Sequence, residues 1–131
     1  MPSVPIAMRQ GRADQLRRAR SAAQLLRAVF PRVEQLRIEL SFEDRSAVPP
    51  TAQAHVLYPP APAFFTYRCP YSDCDGEFAL DSAVSRAISE RGHAAAGEIP
   101  CSGSRPSERS GKRPCELRLA YAITALLDEN A

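Results

Sequence analysis

Leu36-Arg37-Ile38-Glu39-Leu40-Ser41-Phe42-Glu43 alternates apolar and polar residues without a break. That two-residue period belongs to a strand with one face buried and the other in water. The end of the chain repeats the pattern. Leu117, Leu119, Tyr121 and Ile123 alternate there with Glu116, Arg118, Ala120 and Ala122. Between these two strands, Ala52–Tyr58 reads as a returning strand after the turn-rich Asp44–Pro50, with Ala54, Val56 and Tyr58 facing inward. Phe64–Cys69 is aromatic and β-prone, and Ala94–Cys101 is a weaker strand signal.

Helical spacing occurs twice. From Ala13 to Phe30 apolar residues recur at Leu16, Ala19, Ala23, Leu26 and Phe30, and Pro31 stops the pattern. A surface helix docked through its leucines is the plain interpretation, and a helix reserved for a partner is the other. A shorter helix follows Asp81 or Ser82 as its cap, with Val84, Ala87 and Ile88 as its apolar face and Gly92 at its end. The order α-β-β-β-α-β-β predicts an α+β fold with a mainly antiparallel sheet, an N-terminal helix and a second short helix.

The 131 residues suffice for one modest core. The expected organisation is a disordered tail over 1–11, one α+β domain over 12–127, and a short tail over 128–131. Within the domain, 102–114 contains no large apolar residue and reads as a mobile loop. Twelve prolines, clustered at Pro49, Pro50, Pro59, Pro60 and Pro62, keep that stretch free of helix. No stretch approaches the roughly 18 apolar residues of a membrane helix. Arginines follow the weakly apolar Met1–Met8 instead of preceding it, the reverse of a secretory signal. A cytoplasmic location without membrane contact is therefore expected.

Cysteine usage carries the chemistry. Cys69 and Cys74 bracket a short loop, and Cys101 and Cys115 flank the polar run. If the last two strands form a hairpin, Cys101 and Cys115 face each other at its base. In a reducing compartment four such thiols point to metal more than to disulfides. Were the protein secreted, three disulfide pairings would compete with that reading, and buried free thiols are the bland alternative. Four thiolates complete a tetrahedral Zn²⁺ shell and leave no position for substrate, so a structural metal and no enzyme activity are expected; an enzyme would need one cysteine left off the metal to open a site for water. Asp75-Gly76 supplies a residue tolerant of positive φ and backbone amides that can donate to thiolate sulfurs.

Tyr67-Arg68-Cys69-Pro70, Cys74-Asp75-Gly76, Cys101-Ser102-Gly103 and Cys115 resemble the zinc-ribbon class, over about residues 64–123. The first cysteine gap is wider than usual in that class, and a helix separates the two halves. The resemblance implies a structural zinc on Cys69, Cys74, Cys101 and Cys115. It leaves the process open, since zinc ribbons serve transcription, translation, RNA modification and protein assembly.

Other residues carry weaker signals. His55 and His93 have no acid and nucleophile neighbours of the kind a triad needs. Asp73, Asp75, Glu77 and Asp81 read as a solvated turn and helix cap in preference to a hard-cation site. Up to Arg37 eight arginines oppose Asp14 and Glu34, so this part carries +6 and the remainder −4. Two partner classes follow. The first is another protein. The second is single-stranded nucleic acid, met by Arg68, Arg105, Arg109, Lys112, Arg113 and the N-terminal arginines, with Phe64, Phe65, Tyr67 and Tyr71 for stacking. The near-neutral total charge counts against the second.

Overall fold

In the computed structural model, residues 6–43, 51–71, 73–107 and 111–128 are described. The expected turn at 44–50, the outermost tail residues and Arg109 lie outside them. The fold is α+β, with three helices and mostly antiparallel strands.

The alternating stretch becomes β1 (Val33–Glu43), with Leu36, Ile38, Leu40 and Phe42 all buried. It pairs antiparallel with β2 (Thr51–Leu57) on one side and with the C-terminal strand on the other. The sheet order is β2-β1-β8-β5, with β5 spanning Ala94–Pro100 and β8 spanning Arg118–Leu127. Ile38 lies beside Ile123, and Leu36 beside Ala125, which stacks the apolar faces of β1 and β8 into one core layer.

The inward face of β2 differs from expectation by one residue. Ile38 is opposite His55 and Leu36 is opposite Leu57, so His55 and Leu57 face the core side. Ala54 is exposed and Tyr58 is 56% exposed. Alternation alone gives the period of a strand but not its phase, which the pairing with β1 decides.

The long N-terminal helix is two pieces. α1 (Ile6–Ala22) begins inside the segment expected to be a tail, and α2 (Leu26–Val29) follows a break. The break has a tertiary cause. Leu25 is extended and bridges Pro62, while Leu26 and Arg27 donate to the carbonyls of Ala61 (2.7 Å) and Pro59 (3.0 Å). Only Leu26 from the predicted stripe is buried, and from Gln15 to Ala22 every residue except Leu16 is exposed. α1 is therefore not docked through a leucine face.

α3 (Asp81–Ser89) lies against β5 and β8, burying Ala83, Val84 and Ala87. Its N-cap is Leu80 and no side chain caps it, so Asp81 serves in the first turn instead. Gly92 (φ 82°) and His93 (φ 49°) turn the chain from the helix into β5.

Two short ribbons complete the fold. β3 (Thr66–Arg68) pairs with β4 (Glu77–Ala79), a strand the sequence did not suggest. β6 (Ser104–Ser107) pairs with β7 (Gly111–Pro114), so the run read as a mobile loop contains a two-stranded ribbon. Its residues have no apolar face, and its register comes from anchors at its base.

Candidate metal centre

Each cysteine stands near the end of a strand. Cys69 follows β3, Cys74 precedes β4, Cys101 follows β5, and Cys115 follows β7. All four are buried, and their sulfurs lie within 4.8 Å of one another. Cys74 and Cys101 are 3.5 Å apart and Cys69 and Cys115 are 3.9 Å apart. A tetrahedron with Zn–S bonds of about 2.3 Å has edges of about 3.8 Å, so the donor set fits such an ion. The sulfurs group across the fold, one from each half per close pair, instead of within each loop. No histidine or carboxylate of the described residues belongs to the cluster.

The backbone around the sulfurs has a local two-fold character. Gly76 N–H donates to Cys74 Sγ (3.3 Å), and Gly103 N–H donates to Cys101 Sγ (3.4 Å). The carbonyl of Gly76 accepts from Cys69 N–H (3.1 Å), and that of Gly103 accepts from Cys115 N–H (3.0 Å). The middle residues cross over. Asp75 Oδ1 accepts from Ser104 N–H (2.7 Å), while Ser102 Oγ donates to the Glu77 carbonyl (3.1 Å). Cys74-Asp75-Gly76-Glu77 and Cys101-Ser102-Gly103-Ser104 are thus two copies of one knuckle, back to back. The shared Cys-x-Gly is the signal that was present in the sequence, though four residues are too few to stand out as a repeat.

The glycines are needed for contact. Neither has a positive φ, so the tolerance that glycine offers there is not used by Gly76. A Cβ on Gly76 would fall 2.5 Å from the Gly103 nitrogen, and one on Gly103 would overlap the Gly76 backbone in return. The knuckles approach so closely that only hydrogen fits between them.

Arg105 fixes the first knuckle from the side. Its Nε donates to Asp73 Oδ1 (2.8 Å) and its Nη2 to Asp73 Oδ2 (3.4 Å). The same guanidinium lies 4.0 Å from the centre of the Tyr71 ring. Asp73 holds the Arg105 pKa above its ordinary value, with a further contribution from the nearby Cys115. Burial is the main cause that pushes the Cys74 thiol up to about 12, and it raises Cys69 and Cys101 in the same direction. The pocket therefore disfavours bare thiolates, and a cation is what makes them tolerable.

The remaining candidates are dispersed. Arg68 is on β3 and half-buried, while Lys112 and Arg113 are exposed on β7. Arg105, expected to be available for phosphate, is bound up with Asp73 and Tyr71. Of the aromatics, Phe65 is buried, Phe64 lies under Arg20 (5.5 Å), and Tyr67 stacks on His55 at 5.0 Å. His93 Nδ1 is 3.1 Å from the Ile88 carbonyl and plays no part in the cluster. No helix of the described residues is long and apolar enough to cross a membrane. Comparison with protein families, curated proteins and solved structures returns no match for this chain.

Proposed function

We propose that this chain is a small non-enzymatic interaction module with a zinc-ribbon-like centre, in which one structural Zn²⁺ on Cys69, Cys74, Cys101 and Cys115 ties its two halves together. The observation that carries this reading is the convergence of the four sulfurs from the two halves of the chain to within 4.8 Å of one another. A four-sulfur tetrahedron suits zinc, and a full thiolate shell leaves the metal no position for chemistry. The amide donors at Gly76 and Gly103 supply the outer support that such centres require. A reducing, cytoplasmic setting would keep the thiols available for metal.

The partner class that best fits is a protein. α1 offers Arg18 and Arg20 on an exposed helix, which suits an acidic surface. Single-stranded nucleic acid is the second reading. It is weakened by the engagement of Arg105 with Asp73 and by the pairing of Arg17 with Asp14 (2.7 Å).

Metal content tests the central part. Protein purified without chelator should carry one zinc per chain by elemental analysis and native mass spectrometry, and chelation should unfold the knuckle half. Stoichiometric iron, or a folded chain with four free thiols and no metal, would refute it. A salt-sensitive shift with single-stranded RNA or DNA would favour the nucleic-acid reading over the protein one.

A further inference from the structure

β5 is an edge of the four-stranded sheet, and its register with β8 settles which of its backbone groups are in use. At one end Cys101 N–H donates to the Leu117 carbonyl (2.9 Å), and at the other Ala125 N–H donates to the His93 carbonyl (2.8 Å). An antiparallel ladder alternates residues that exchange both bonds with their partner and residues that exchange none. Residues 93, 95, 97, 99 and 101 are thus committed to β8. Ala94, Ala96 and Glu98 direct their N–H and C=O groups away from the sheet, and no backbone bond of the described residues engages them.

Natural edges are usually guarded by lysine, proline, a bulge or a covering segment. Along Ala94–Glu98 there are three alanines, a glycine and one glutamate, and the pairing with β8 runs without a bulge. Pro100 only closes the strand.

We infer that β5 is a self-association edge, on which a second copy of this chain pairs β5 with β5 about a two-fold axis at Ala96. The open groups are self-complementary about that residue. Ala96 meets Ala96 of the second copy, and Ala94 meets Glu98 of the second copy in both directions. Each of these three pairs exchanges two N–H···O bonds. The two glutamates avoid one another, and Ala95 falls opposite Gly97 of the second copy, whose own side-chain position is taken by the Tyr121 ring. Such an isologous pairing closes on itself and abolishes both exposed edges. Ala94 and Ala96 stand on the open face beside Thr124 and Ala122, so the small-residue faces of the two sheets become continuous. This inference does not depend on the metal reading.

Analytical ultracentrifugation of the full, metal-replete chain tests it. The wild type is expected to sediment at twice the chain mass at micromolar concentration. Ala96→Pro removes the central outward N–H without touching a bond to β8, a placement an edge strand tolerates. It should give a monomer with unchanged circular dichroism and melting. A second pair of variants tests the register. Ala94→Lys, set opposite Glu98 of the second copy, should tighten the dimer about three- to ten-fold, and Ala94→Glu should loosen it by a similar factor. A wild type that stays monomeric to millimolar concentration overturns the inference. So does a folded A96P variant that remains dimeric, or two Ala94 variants that shift the equilibrium equally.

Discussion

At the scale of single residues, the glycines between the knuckles are as constrained as the cysteines. Gly76→Ala places a methyl group against the Gly103 backbone, so the two sulfur-bearing turns must separate. Overpacking of this kind costs about 1–3 kcal/mol. Chelator-competition titration should accordingly show weaker zinc retention in G76A, whereas Gly92→Ala, with open space around its Cβ, should retain zinc normally despite the backbone strain at φ 82°. Proton coupling follows from the thiols themselves. The raised pKa values of Cys69, Cys74 and Cys101 mean that without metal these three remain protonated at neutral pH. A metal-free knuckle therefore stabilises the fold only below the unfolded thiol value of about 8.5, and it opposes folding as the pH climbs towards 12. Zinc reverses that sign, because it needs thiolates and releases protons on binding. Apparent zinc affinity measured at pH 6, 7 and 8 should strengthen by more than about tenfold at each step. A flat profile would mean that the thiols are not the ligands.

At the scale of elements, the sheet and the two ribbons are stabilised by different physics. β1 and β8 bury Leu36, Ile38, Leu119 and Ile123 at 1% exposure or less, so burial alone accounts for their pairing. Leu119→Ala should lower stability by about 2–5 kcal/mol in urea unfolding. Removing residues 1–20, which includes most of the loosely packed α1, should change it by less than about 1 kcal/mol. If instead the truncation proves as damaging as L119A, α1 is part of the core. This difference also explains what the sequence could reveal. The strands with a buried face were legible because alternation is a direct trace of burial. β4, β6 and β7 were not, since three or four residues held by anchors such as Arg105–Asp73 and Ser104–Asp75 leave no periodic trace. The break between α1 and α2 was equally hidden, because its cause is a bridge from Leu25 to Pro62, distant in sequence. The four cysteines were legible as a set because their chemistry is uncommon, but the way they pair across the two halves depends on the fold.

At the scale of the molecule, the chain is a sheet with one covered face and a four-sulfur centre at the ends of its strands. Cys101 and Cys115 connect that centre to β5 and to the turn leading into β8, while Cys69 and Cys74 connect it to the β3–β4 ribbon. Without a bound ion the β6–β7 ribbon would come free of the sheet, since little apolar surface holds it, whereas the β3–β4 ribbon keeps Phe78 in the core against Phe42. A structural zinc in a small domain contributes on the order of 10 kcal/mol, comparable to the whole stability of a domain of this size. The identity of the first coordination shell therefore decides between a closed structural site and an open one. Zinc K-edge X-ray absorption on the purified protein measures it directly. Four sulfur scatterers at about 2.3 Å are predicted, with no nitrogen or oxygen in the shell. A shell of three or fewer sulfurs completed by a lighter atom would contradict the closed structural site and return the centre to the open geometry that catalysis uses.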